Sequence, residues 1–174
     1  MAALLLASAS SRRKALLDQI GVAYQSASMD IDESVQCQET PYDYVFRLAQ
    51  EKAQAGVRRY PDKVVLAADT TVVANGKILG KPENEFDAQA MLRSLSNSSH
   101  QVLTAIAIAQ CNQEKISVEA HVITTTVYFS ELSDQQIGQY IKTREPMDKA
   151  GAYGIQGKAA LFISRIEGSY SNVV

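Results

Sequence analysis

A chain of 174 residues, 46% hydrophobic and 21% charged, has ordinary globular composition and the length of a single domain, with room for two lobes sharing a core. A formal net charge of -2 excludes a general electrostatic grip on nucleic acid or a membrane surface, so any anion must be held by a local cluster. No stretch approaches the ~20 apolar residues of a membrane span, the N-terminal apolar run lacks the basic flank of a signal peptide, and Cys37 and Cys111 have no metal-ligand spacing, as expected of plain thiols in a reducing cytoplasm.

The first element is a short buried strand over residues 3–7. A helix follows, with Leu16, Leu17 and Ile20 as its apolar stripe and Gly21 as its stop. Residues 22–26 read as a second strand, and the acidic stretch 29–38, "MDIDESVQCQ", as irregular. Thr40, Pro41 and Asp43 then open a long helix as N-cap, first residue and dipole partner. Val45, Leu48, Ala49, Ala53 and Val57 form its buried face. Residues 64–68 have the apolar, β-branched character of a central strand, continued through an Asn75-Gly76 hairpin. Residues 86–95 predict a helix buried through Ala88, Met91, Leu92 and Leu95. Residues 102–109 and 118–129 predict long neighbouring strands. Ser133 caps a helix over 134–143, and 161–166 is the last strand. Alternating helices and strands with some antiparallel pairing define an α/β chain with a mixed sheet.

Chemistry concentrates in three places. In "SASSRRK" a strand gives way to small hydroxyl residues and a helix start, where free backbone N–H groups converge. Arg12 and Arg13 in a first turn oppose the helix dipole, so a negative partner is expected, and their planar forks suit phosphate. Neither the P-loop nor the dinucleotide fingerprint is present. In "VVLAADTTV", Asp69 follows an apolar run near where a central strand leaves the core. It can bind a divalent cation or accept a proton from water, or simply end the strand. Asp30, Asp32 and Glu33 are either a solvated acidic loop or, with Asp69, carboxylates for Mg²⁺, which takes few carboxylates alongside substrate phosphates.

Lys52 falls on the long helix, where a solvated face is its expected setting. Lys81 stands in a rigid "LGKPEN" loop. Lys149 lies in "REPMDKAGAYGIQG", whose three glycines permit unusual backbone and whose Tyr153 and Gln156 can stack on and hydrogen-bond a flat base. His100 and His121 have no metal-ligand or triad spacing and are expected to be structural or exposed. Phosphate-binding bases with carboxylates are the equipment of metal-assisted phosphoanhydride hydrolysis.

"LASASSRR", "RLAQEKA", "LAADTTV", "GKP", "EPMDKAGAYGIQG" and "GSYSNVV", in that order, resemble the Maf family of nucleoside triphosphate pyrophosphatases. The resemblance runs from about residue 4 to the end. It implies one Maf-like domain over 1–174, with the elongated α/β fold related to inosine triphosphatases and two lobes around a cleft. It implies cleavage between the α- and β-phosphates to a monophosphate and pyrophosphate with Mg²⁺ or Mn²⁺. A cytoplasmic role in clearing non-standard nucleotides or restraining septum formation goes with it, and a homodimer is compatible with it.

By this resemblance Asp69 is the proton acceptor for water, Lys52 and Lys81 act with it on the triphosphate, and Ser8, Arg12 and Arg13 hold the phosphates. Glu33, with Asp69, belongs to the metal. Arg12, Thr70 and Gln156 match positions linked to substrate choice, and Lys149 joins the substrate-binding set. The "DKAGAYGIQG" form resembles the subgroup acting on dTTP and UTP rather than on 7-methyl-GTP, and a Gln amide can pair with a pyrimidine edge. Ser11 stands where the family usually has proline, and the family normally continues past "SNVV" through a "GLP" stretch into a further helix. A purine-directed, inosine-triphosphatase-like activity and a non-catalytic regulator of cell division are the alternatives.

Overall fold

In the computed structural model, which describes residues 3–174, β1 (Leu4–Leu6) and α1 (Ser11–Gln19) are followed by β2 (Gln25–Ser26), α2 (Pro41–Arg59), β3 (Val64–Ala74) and β4 (Lys77–Leu79). The chain continues through α3 (Glu85–Leu95), β5 (Ser99–Asn112), β6 (Lys115–Phe129) and α4 (Asp134–Ile141) to β7 (Ile163–Glu167) and α5 (Tyr170–Val173). Among the described residues the strands make one seven-stranded sheet in the order β2-β1-β3-β5-β6-β7, with β4 on β3. β1 pairs in parallel with β2 and β3, whereas β3–β4 and β6–β7 are antiparallel, so the α/β class with a mixed sheet is as expected.

The chain divides into two compact units. One runs up to Asp69 and takes in Thr104–Val122; the other comprises Thr70–Leu103 and Ile123–Val174. In the first, the α2 stripe Val45, Leu48, Ala49, Ala53 and Val57 is buried, as are Leu5, Leu6, Val65 and Ala67 on the strands. In the second, Ala88, Leu92 and Leu95 of α3 pack with Val102, Val127, Phe129, Ile137 and Phe162. Each fully buried Leu or Val of these cores contributes roughly 1.5–3 kcal/mol relative to exposure.

Local signals set most boundaries. Thr40 caps α2 through Asp43 N–H, and Pro41 takes the first helical position. Asn75 and Gly76 both have positive φ, as the tight β3–β4 turn requires. Ser133 and Gln136 close a full capping box on α4. One reading fails at α1: the helix buries no residue completely, and Ile20 lies past its end, 69% exposed. Nine residues are too few for the 3.6-residue period to separate a buried stripe from a wet one. β2 is also shorter than the predicted 22–26, and α4 ends two residues early.

Candidate active site

Lys52 is not on a solvated helix face. It lies one turn before Gly56 on the buried side of α2 and is 9% exposed. Gly56 packs directly on Val65, since a Cβ there would meet the Val65 side chain at 2.6 Å. Asp69 is four residues beyond Val65 on the same face of β3, because strand side chains alternate. Four strand residues advance ~13 Å and four helix residues only ~6 Å. The long lysine side chain covers the difference. Its Nζ donates to Asp69 Oδ1 at 2.6 Å and pairs with Glu33 Oε1 at 2.7 Å.

Asp69 does not end its strand, as β3 continues to Ala74. It stands past the last β3 residue paired with β1, Leu66, and before the first paired with β4, Val72. Its carboxyl is held above the ordinary aspartate range. Burial is the main cause, outweighing the attraction of Lys52 and Arg13, while Glu33 pushes the same way as burial. A carboxylate with raised proton affinity is a stronger base than one in water.

The segment after β1 faces this group. Ser10 caps α1 through Arg13 N–H, and Ser11 takes the first helical position, which suits proline equally well. Ser8 is buried, and its Oγ accepts from Ser10 N and from Arg13 Nη1, each at 3.2 Å. Burial lowers the proton affinity of the Arg13 guanidinium, and Asp69 and Glu33 oppose that effect. The negative partner called for by two arginines in a first turn is therefore supplied in part by the protein's own carboxylates. Arg12 stands beside Arg13, half-buried.

Ser8, Arg13, Glu33, Lys52 and Asp69 thus gather in one unit. Two residues that the sequence reading missed belong with them: Tyr44, whose hydroxyl donates to the Glu33 carbonyl at 3.0 Å, and Arg47. Arg47 opens the "RLAQEKA" stretch, which is the signal that was available.

Thr70, Lys81, Lys149 and Gln156 lie in the other unit. Thr70 follows Asp69 on β3 and is half-buried; Lys81 and Gln156 are exposed. Lys149 donates to the Glu145 carbonyl at 2.7 Å and pairs with Asp148 at 2.6 Å. The loop 145–157 winds through two short 3-10 turns and is tied to the "GKP" loop by Gly151 N–H donating to Gly80 O. Gly151 has φ +68° and abuts Val72, where a Cβ would fall 2.9 Å from the side chain. Tyr153 does not present its ring to a base. It is 5% exposed, edge-on to Phe129 and His100, and bonded to His100 Nε2 at 2.7 Å. His100 is buried and structural as expected, and His121 is exposed.

Glu33 and Asp69 both aim a carboxylate oxygen at one ammonium. Among the described residues no group of three or more His, Cys, Asp or Glu could hold a metal alone. Two carboxylates at one point fit Mg²⁺ or Mn²⁺ in the form in which substrate phosphates complete the coordination.

No described helix is long and apolar enough to cross a membrane. A dTTP/UTP pyrophosphatase of Desulfotalea psychrophila is 52% identical, covering 98% of this chain and 87% of that protein. Another from Hahella chejuensis is 51% identical over 98% of this chain and 85% of its own. The solved Ham1 protein of Staphylococcus aureus is similar at a TM-score of 0.48 and 15% identity, over 78% of this chain and 89% of that one. The family model described as Maf-like protein matches residues 3–174, and the chain belongs to that family.

Proposed function

We propose that the protein is a nucleoside triphosphate pyrophosphatase acting on dTTP and UTP. The observation that carries this reading is the buried group in which Lys52 joins Asp69 and Glu33 beside Arg13. Relatives named for that activity, about half identical over nearly the whole chain, support the substrate class.

In this reading water attacks the α-phosphorus, the bond to the bridging oxygen of the β-phosphate breaks, and pyrophosphate leaves. Asp69 takes the water's proton. Its buried setting raises its basicity, and Lys52 keeps it oriented. Lys52, Lys81, Ser8, Arg12 and Arg13 bind the triphosphate oxygens, with Lys149 joining from its loop. Glu33 and Asp69 would hold Mg²⁺ or Mn²⁺, which when bound neutralises phosphate charge and polarises the phosphoryl oxygen. Thr70 and Gln156 contact the nucleoside. In this reading the chain is one Maf-like domain working in the cytoplasm, where it clears non-standard nucleotides or restrains septum formation.

The test is pyrophosphate release from dTTP, UTP, CTP, ITP, GTP and 7-methyl-GTP with Mg²⁺ or Mn²⁺, wild type beside Asp69→Asn. Release from dTTP and UTP that collapses in the variant is expected. Nucleotide binding without hydrolysis would point to a regulator, and preference for ITP to the purine-directed alternative.

A further inference from the structure

Glu33 reaches Lys52 from a segment with no helix or strand of its own, and its side chain is 57% exposed. Nothing in regular structure places it. We propose that Arg47 is a positioning residue that holds Glu33 against Lys52, an inference that rests on the function proposed above.

The geometry is that of a clamp. Arg47 sits on α2, five residues before Lys52. Its Nε and Nη2 grip both oxygens of Glu39 at 2.6 and 2.9 Å, a two-pronged pairing that fixes the plane of the guanidinium. From that fixed position Nη2 also donates to the Ser34 carbonyl at 2.9 Å, next to Glu33 in the chain. One turn earlier on α2, the Tyr44 hydroxyl donates to the Glu33 carbonyl. The segment is stiffened further by Ser34 N–H donating to Asp32 Oδ1 and Gln36 N–H donating to Glu39 Oε2, both at 2.9 Å. One guanidinium therefore ties both ends of the Glu33–Glu39 loop to the helix that carries Lys52. The Arg47 and Glu39 side chains are 17% and 7% exposed, so water competes weakly for the pairing between them, whereas the bond to the Ser34 carbonyl lies at the surface. Lysine supplies no planar fork and cannot reproduce the grip.

The test uses Arg47→Met, Arg47→Lys and Glu33→Gln with two readouts. In the unliganded protein, amide hydrogen exchange over 30–39 rises roughly 10-fold or more in both Arg47 variants, the scale of a lost charge-assisted hydrogen bond. Exchange in the second half of α2 stays unchanged. In dTTP turnover, Arg47→Met lowers kcat/KM, and the Glu33→Gln/Arg47→Met double variant is no worse than Glu33→Gln alone. Unchanged exchange in 30–39, additive losses in the double variant, or rescue by lysine would overturn the proposal. Should Arg47→Met fail to fold, Tyr44→Phe is read the same way, with a smaller rise in exchange at the same segment. If the wild type releases no pyrophosphate from dTTP, the functional reading fails, and the exchange measurement alone decides the role of Arg47.

Discussion

Lys52 Nζ and Asp69 Oδ1 meet at 2.6 Å, yet the carboxyl of Asp69 binds its proton more tightly than an ordinary aspartate, because burial outweighs the lysine. A native-state pKa raised above the unfolded value means that the folded protein favours the protonated form. The linked stability is fully present below the unfolded pKa and is lost as pH rises through the folded one. At neutral pH the ionised Asp69 therefore weakens the fold. Asn keeps an acceptor for Lys52 without the charge. Asp69→Asn is expected to be at least as stable as wild type at pH 7 in metal-free urea denaturation, with its advantage shrinking as pH falls. Turnover of dTTP by the same variant falls about 10²–10⁴-fold, the usual span for loss of a general base. A variant that is less stable at neutral pH, with the deficit shrinking in acid, would contradict the assigned direction.

A second prediction concerns His100, buried at 3% exposure, whose Nδ1 has no hydrogen-bond partner and whose pKa burial lowers from 6.5 to about 4. Here the sign is opposite in form: the fold favours neutral imidazole, so stability is present above the unfolded pKa and is lost as pH falls from about 6.5 toward 4. At ~1.4 kcal/mol per tenfold change in proton affinity, the span corresponds to roughly 3 kcal/mol. His100→Gln should flatten the urea midpoint against pH in that window. Tyr153→Phe leaves the other ring nitrogen without its partner and is expected to lower stability by about 1–3 kcal/mol. An unchanged pH slope in His100→Gln would show that the histidine does not titrate with folding.

A third prediction follows from Glu145. Its carboxylate accepts from Tyr140 Oη at 3.0 Å and from Lys158 N at 3.1 Å, so swinging away breaks both bonds. A Cβ at Gly157 would be driven into that carboxylate. Gly157→Ala should destabilise by about 1–3 kcal/mol through overpacking. In a Glu145→Ala background the same change should be nearly neutral, which a double-mutant cycle in urea reads directly. Equal losses in both backgrounds would remove Glu145 as the cause.

What was legible in the sequence was local. Thr40, Pro41 and Asp43 announce α2, Asn75-Gly76 announces its hairpin, and Ser133 announces α4, because each is decided by backbone groups within four residues. Lys52 was misjudged from its residue type alone, although it falls in the apolar stripe between Leu48 and Gly56. Its partner Asp69 is 17 residues away, and the two meet through tertiary packing, of which the seat of Gly56 on Val65 is one contact. Tyr153 was misjudged for a related reason. Its loop has no periodicity from which to read a buried side, and its partners His100 and Phe129 arrive from other strands. The motifs named candidate residues without showing which of them touch.

The last prediction separates recognition from chemistry. Gln156 is exposed on the loop that Glu145 fastens, and its amide offers a donor and an acceptor together. Truncating an exposed side chain removes no core contact, so Gln156→Ala should keep the wild-type urea midpoint to within about 0.5 kcal/mol. If the amide reads the base, preference for dTTP over GTP in kcat/KM should fall about 10-fold, the scale of one lost hydrogen bond. The response to Mg²⁺ or Mn²⁺ and to Asp69→Asn should be the same as in the wild type, because Glu33 and Asp69 belong to a different part of the chain. A fall in turnover of every nucleotide by the same factor would instead assign Gln156 to the phosphates, and no change at all would remove it from the site.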